Sequence, residues 1–279
     1  MIDEHAFLTS LFKAIDNHKL TLPTLPEVAL RVRDSVEREE STAKSIADIV
    51  ATDAALSARL LQVANSPLYR GRVAIDNLQM AVARLGTRMV RSLVVSLIMQ
   101  QIFQPTSEQL DQRFRQAWEE SVQVAALSRV LTSNLKHLDR EQAMLAGLIH
   151  NIGTLPILTM AEHDAKLIDD REELERLIEL ISAPIGQRIL QSWGFPESLI
   201  KVPGSYQDLS YDGGELANYV DVVQVARLQT LQGSDHPLAQ LDWSKIPSFA
   251  KVGIDPEVSV IEIEGVAKDV AEVEVIFLG

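Results

Sequence analysis

The chain contains no cysteine, which excludes a disulfide scaffold, a thiolate zinc site and a cysteine nucleophile. Aromatic residues make up only 5% of its 279 positions, too few for an aromatic-rich sandwich or a stacking platform for nucleic-acid bases. With 13 Gly and 11 Pro, it is neither collagen-like nor of low complexity. No apolar run is long enough to span a bilayer: the longest, Met89 to Met99, is broken by Arg91, Ser92 and Ser96. The opening MIDEHAFLTS is acidic and mixed, unlike a secretory signal. The expectation is a soluble, cytoplasmic protein with no membrane partner. Phosphate loops of the GxGxxG or GxxxxGKS/T kind are missing, as is a GxSxG nucleophile elbow.

Positive charge is also scarce. Lys and Arg total 26 against 39 Asp and Glu, for a net charge of −13. The first 100 residues carry 12 basic and 11 acidic groups, and the remainder 14 and 28. An acidic chain of this kind is poorly suited to tracking a phosphate backbone, so nucleic acid is not the expected partner. What is present is ordinary for a globular chain: 46% apolar and 23% charged residues, enough to bury a sizeable core in one large domain or two small ones.

Helical periodicity dominates. Phe7, Leu8, Leu11, Phe12 and Ile15 predict a first amphipathic helix. Leu22-Pro23-Thr24-Leu25-Pro26 forms an extended connector, and Val28, Val32 and Val36 share a face of the next helix. Asp53 is read as the N-cap of 54–64, Asp76 of a short helix ending at Gly86, Thr87 of the helix to about Phe103, and Asp139 of one ending at Gly153. A long helix through about Leu135 precedes Asp139. Others are read at 171–192, with acidic Asp169-Asp170 and Glu172-Glu173 at its start, at 196–202 and at 215–231, with 232–250 loop-rich. Asp255-Pro256 reads as a cap and first-turn proline. In 257–279, Val258-Ser259-Val260 and Glu272 to Val275 alternate like a strand, while Ile254, Val258, Ile261 and Val270 fit a helix, so the pattern leaves both open. The class is all-α.

The segment Ser45–Gly86, SIADIVATDAALSARLLQVANSPLYRGRVAIDNLQMAVARLG, follows LPTLPEVA. Together they resemble the HDOD family, the HD-related output domain of bacterial signalling proteins. GLIHNIGTLPIL (147–158) and RILQSWGFPESLI (188–200) are similar to later family segments, so the resemblance covers roughly 20–230. It implies a multi-helical HD-like fold with two interlocked lobes: 1–105 with the signature, and 106–279 as a degenerate HD-like lobe with a C-terminal extension. It also implies a stand-alone, non-catalytic signalling module that binds a protein partner or a small effector.

The related HD phosphohydrolases bind divalent metal through a His, a His-Asp pair and a late Asp. By that resemblance the positions here are Glu120, His150, Asn151 and Arg227, and only His150 keeps its ligand. Asn151 supplies a neutral amide where an anion is needed. Arg227 supplies a fixed cation, which repels a dication by roughly 8 kcal/mol at about 4 Å and an effective dielectric of about 20. No metal or other cofactor is expected. Glu120 and Arg227 either form an ion pair across the old cavity or both point to solvent. His150, beside Ile149, is expected to be a buried histidine bonded to a carbonyl or amide. His163-Asp164 is a decoy in polar surroundings, and His5, His18, His137 and His236 lack ligand spacing.

Asn65 and Ser66 match the family signature and are expected to fix a helix end. Trp118 and Trp193 are expected in the core. Arg59, Arg70, Arg72, Arg84, Arg88 and Arg91 face a single acidic residue, Asp76, in their stretch. They are either a solvated set or a patch for an acidic partner, phosphate or nucleotide. Two alternatives stand beside the regulatory module. One is a divergent metal-dependent phosphohydrolase using His150 with Glu120 or Asp221. The other is a nucleic-acid-linked regulator acting through the arginine-bearing lobe.

Overall fold

The computed structural model describes residues 23–36, 42–103, 110–162 and 170–278, with residues 9, 12, 13 and 167. Most of the expected first helix, together with His5, His18 and the His163-Asp164 pair, lies outside them. Among the described residues every regular element is a helix and there is no strand.

The two prolines of the connector lead into α1 (Glu27–Val36), whose first turn is closed by the Ala29 N–H on the Pro26 carbonyl at 3.0 Å. Thr42 and Ser45 form a reciprocal capping box on α2 (Ala43–Val50), and Asp53 caps α3 (Ala54–Ala64) as expected. Two caps differ from the sequence reading. Asn77, not Asp76, accepts from the Met80 N–H and starts α4 (Leu78–Leu85). Thr87 is already inside α5 (Thr87–Ile102), because Gly86 holds the N-cap position and offers no side chain.

The second half is organised around α6 (Asp111–Leu131), which packs on α7 (Arg140–Ile149), α11 (Tyr219–Thr230) and α13 (Val266–Leu278). Asp139 caps α7 through the Gln142 N–H at 2.8 Å. α7 stops at Ile149 rather than at Gly153, which instead precedes α8 (Thr154–Ala161). Then come α9 (Arg171–Ser192), α10 (Glu197–Ser205) and α12 (Pro247–Val252), the last in the stretch read as loop. Asp255-Pro256 opens a turn, not a helix: Asp255 accepts from the Glu257 and Val258 N–H groups. The ambiguous tail is helical. Val270, Val273 and Phe277 come round to one buried face of α13.

One continuous core runs from Leu25 to Phe277. Trp118 on α6 is wedged between Phe103 and Phe277, with ring centroids 5.3 and 6.2 Å away, and Trp193 is buried as expected. The sequence reading, with Met89–Met99 as its longest apolar run, misses the stretch Arg140–Ala161, which is long and apolar enough to cross a membrane, but 89% of its most apolar window is buried inside the fold, where α7 and α8 form core walls.

Two glycines bring the helices of the second half close together. A Cβ on Gly147 would sit 2.4 Å from the Ala125 Cα, so its absence lets α7 lie directly on α6. A Cβ on Gly153 would sit 1.9 Å from the Ser182 carbonyl oxygen, so α8 begins in contact with the backbone of α9.

Candidate functional site

Glu120, His150, Asn151 and Arg227 line one cavity of about 380 Å³, between α6, the α7–α8 turn, α9 and α11. The close α6–α7 packing delivers the His-Asn pair to it. His150, only 4% exposed, places Nδ1 2.6 Å from the Gly147 carbonyl. A carbonyl can only accept, so Nδ1 carries the proton and Nε2 is the bare nitrogen. The Tyr206 ring stands edge-on at 4.8 Å. Burial lowers the imidazole pKa to about 3; the Gly147 bond works against this and the charge of Arg227 adds to it.

A pH dependence follows. An unfolded histidine titrates near 6.5, while the folded one stays neutral down to about 3. Between these values the unfolded chain binds more protons, so this residue's contribution is intact above pH 6.5 and is lost as pH falls. Between pH 7 and pH 5 the loss is about 2 kcal/mol. Urea unfolding of the wild type and His150→Gln at both pH values should show the wild type losing that much more. Equal losses in the two proteins would contradict the assignment.

Asn151 is fully engaged elsewhere. Its Nδ2 donates to the Ala117 carbonyl at 3.2 Å, and its Oδ1 is 2.8 Å from the Ser121 hydroxyl, so the amide clamps the α7–α8 turn to α6. Glu120 and Arg227 share the cavity but do not form the direct ion pair. Glu120 accepts from the Gln116 amide at 2.9 Å, one helical turn away. The Arg227 guanidinium lies 5.4 Å over the Tyr206 ring. Solvent reaches Glu120, yet the protein packed around it raises its carboxyl pKa, with the Gln116 bond and the charge of Arg227 pulling the other way. Burial likewise raises the Tyr206 hydroxyl, with Arg227 opposing.

This donor set does not fit a divalent metal. His150 Nε2 is its one neutral ligand, the Asn151 amide oxygen is spent, and a permanent cation stands alongside. Among the described residues, no group of three or more His, Asp or Glu could hold an ion. Asp221 is no substitute: it is fully buried, accepts from the Asn218 N–H and the Ser248 hydroxyl, and does not line the cavity.

The signature pair is structural where it can be followed. Asn65 caps α3 and exchanges two hydrogen bonds of 2.8 Å with the backbone of Ile75, pinning the intervening loop. The Ser66 hydroxyl is buried without a partner among the described residues. The six arginines do not act as one patch. Arg59 bonds the Ile276 carbonyl and Gln100, and Arg84 bonds the Val73 carbonyl. Arg70 and Arg72 are exposed. Arg88 and Arg91 line a common cleft.

Several residues carry more of the site than the sequence suggested. Tyr206 contacts both His150 and Arg227, and His236 lines the same cavity although no ligand spacing pointed to it. Tyr69, four residues after Asn65, donates to Glu141, which also binds Arg129 at 3.0 Å in a buried network joining the signature loop to α6 and α7. No local motif marks these residues.

The model of the HDOD domain matches residues 22–208. A Shewanella amazonensis structure, named as a candidate metal-dependent phosphohydrolase, is 34% identical with a TM-score of 0.83, covering 98% of this chain and 99% of its own. An HDOD domain protein of unknown function from Geobacter sulfurreducens is 22% identical with a TM-score of 0.71, covering 99% and 100%. An uncharacterized Treponema pallidum protein is 23% identical over 253 residues, which are 86% of this chain and 48% of that protein. The chain therefore spans about half the length of that curated relative.

Proposed function

The chain belongs to the HDOD family, and from that membership we propose a cytoplasmic, non-catalytic regulatory module that acts by binding a protein partner or a small effector. The observation that carries this reading is the use made of Asn151. Asn151, at the Asp position of the His-Asp pair, holds α6 to the α7–α8 turn through Ala117 and Ser121 instead of facing an ion. Arg227, over Tyr206, supplies the positive charge that a metal would otherwise bring to the cavity. The cavity is thus a mixed-charge joint between helices, with Arg113 bonded to Glu175 at its rim.

The second reading, a divergent phosphohydrolase, is favoured by the name of the Shewanella relative. The two separate by turnover of p-nitrophenyl phosphate and bis-p-nitrophenyl phosphate with added Mn, Fe, Mg or Zn. The regulatory module gives no rate above the protein-free blank. Metal-dependent turnover that disappears in His150→Ala would establish the enzyme. A nucleic-acid role is disfavoured by the net charge of −13.

A further inference from the structure

A second cavity lies away from the degenerate site, at the N-terminal end of α5. It is a cleft of about 670 Å³ whose walls include Arg88, Arg91, Lys136 and His137, with Asp139 the one carboxylate among its described lining residues. That carboxylate is turned to the α7 N-terminus, where it accepts from the Gln142 N–H. Gly86 gives α5 no side-chain cap, so the first amides of this 16-residue helix have no intrahelical acceptor. Thr87 and Arg88, in that first turn, line the cleft.

Ser92 is an independent pointer. It is 7% exposed and lines both this cleft and the recess beside it, and no hydrogen bond seen among the described residues engages its hydroxyl. Unlike the sealed hydroxyls of Ser66 and Ser96, it opens on the cavity, where solvent or a ligand can meet it. Ser92, Arg91 and Gln142 also line an adjoining recess of about 130 Å³ with apolar walls that include Val95, Leu145 and Phe195. A basic compartment thus shares three residues with an apolar one.

We propose that this cleft binds a small organic phosphate. Its phosphate sits at the α5 N-terminus between Arg88 and Lys136, and its apolar or planar portion enters the recess past Ser92. This deepens the effector branch of the regulatory reading and rests on it. Helix N-termini and arginines favour anions together, and the size of the cleft is that of ordinary small-ligand sites. The location couples the two halves of the chain, because α5 contributes one wall and the segment leading into α7 another.

The test is isothermal titration of the full chain with inorganic phosphate, AMP and ADP. It compares wild type, Arg88→Glu/Lys136→Glu and the control Arg70→Glu/Arg72→Glu, with unfolding temperatures measured alongside. Arg88 and Lys136 are exposed, so the double variant should fold; Arg88→Gln/Lys136→Gln replaces it if it does not. The proposal expects AMP or ADP to bind more tightly than inorganic phosphate, to weaken with salt, and to lose about tenfold or more in the cleft variant with the control unchanged. No binding by any probe, or binding that the cleft variant leaves intact, would overturn it. Product formation is followed in the same samples. Hydrolysis of the nucleotides with added metal would overturn the regulatory reading itself, whereas absence of both binding and hydrolysis overturns the cleft alone.

Discussion

Replacing Glu141 with alanine should lower the folding stability by about 3–5 kcal/mol. Glu141 and Arg129 are 4% and 6% exposed, and Arg129 Nε donates to the Glu141 carboxylate at 3.0 Å. The Tyr69 hydroxyl donates to the other carboxylate oxygen, and the Arg129 guanidinium lies 5.4 Å from the Tyr69 ring centre. Burial, and then the neighbouring carboxylate, hold the Tyr69 pKa well above its usual value, so it remains a donor. Removing the carboxylate strands a guanidinium that cannot shed its proton in an apolar interior, and removes the phenol's acceptor. Replacing both charged partners with methionine should cost much less than either single truncation, because no charge is then left alone. Urea unfolding of Glu141→Ala, Arg129→Ala and the double methionine variant decides this. A loss under about 1 kcal/mol for Glu141→Ala would show that solvent reaches the pair. The network joins the Asn65-Ser66 loop to α6 and α7, so its loss should loosen the signature segment and the His150-Asn151 turn together.

Gly153→Ala should be the most costly single-methyl change, at about 3 kcal/mol or more. Its Cβ would fall 1.9 Å from the Ser182 carbonyl oxygen and 2.7 Å from the Gly186 amide nitrogen, both backbone atoms that cannot rotate away. α8 would have to leave α9, and the turn bearing His150 and Asn151 would move with it. Gly86→Ala is the contrast. Nothing lies within 4 Å of its added methyl, but the backbone sits at φ +84° and ψ 152°, a region essentially kept for glycine, so the cost is conformational and about 1–3 kcal/mol. Chemical denaturation of the two variants should rank them in that order. A Gly153→Ala midpoint equal to wild type would mean that the helices are not held at this spacing.

The helical class was legible because apolar spacing in segments such as 54–64 and 171–192 leaves no strand alternative. The caps were legible only to within a residue. Asp76 and Asn77 are adjacent and equally able to accept, and which one meets the Met80 amide is decided by the turn. The tail stayed open because valines in Val270 to Val275 satisfy both a two-residue and a helical period over so short a span. Packing of Val273 and Phe277 on α6 settles it. At the site, the family resemblance found the four positions that meet in one cavity, but not what they do there. Glu120 takes a partner one turn away on its own helix, while Arg227 is drawn to a ring supplied by Tyr206. Tyr206, His236 and the Tyr69-Glu141-Arg129 network belong to distant segments without a shared motif, so only the fold brings them together.

A non-catalytic regulatory role requires that the cavity hold no divalent metal. The most direct measurement is elemental analysis of the chain purified without chelator and then equilibrated with Mn, Fe, Mg and Zn. The prediction is metal far below one equivalent, with the same trace in wild type and His150→Ala. Near-stoichiometric metal in the wild type that His150→Ala removes would contradict it and return the chain to the metal-dependent phosphohydrolases.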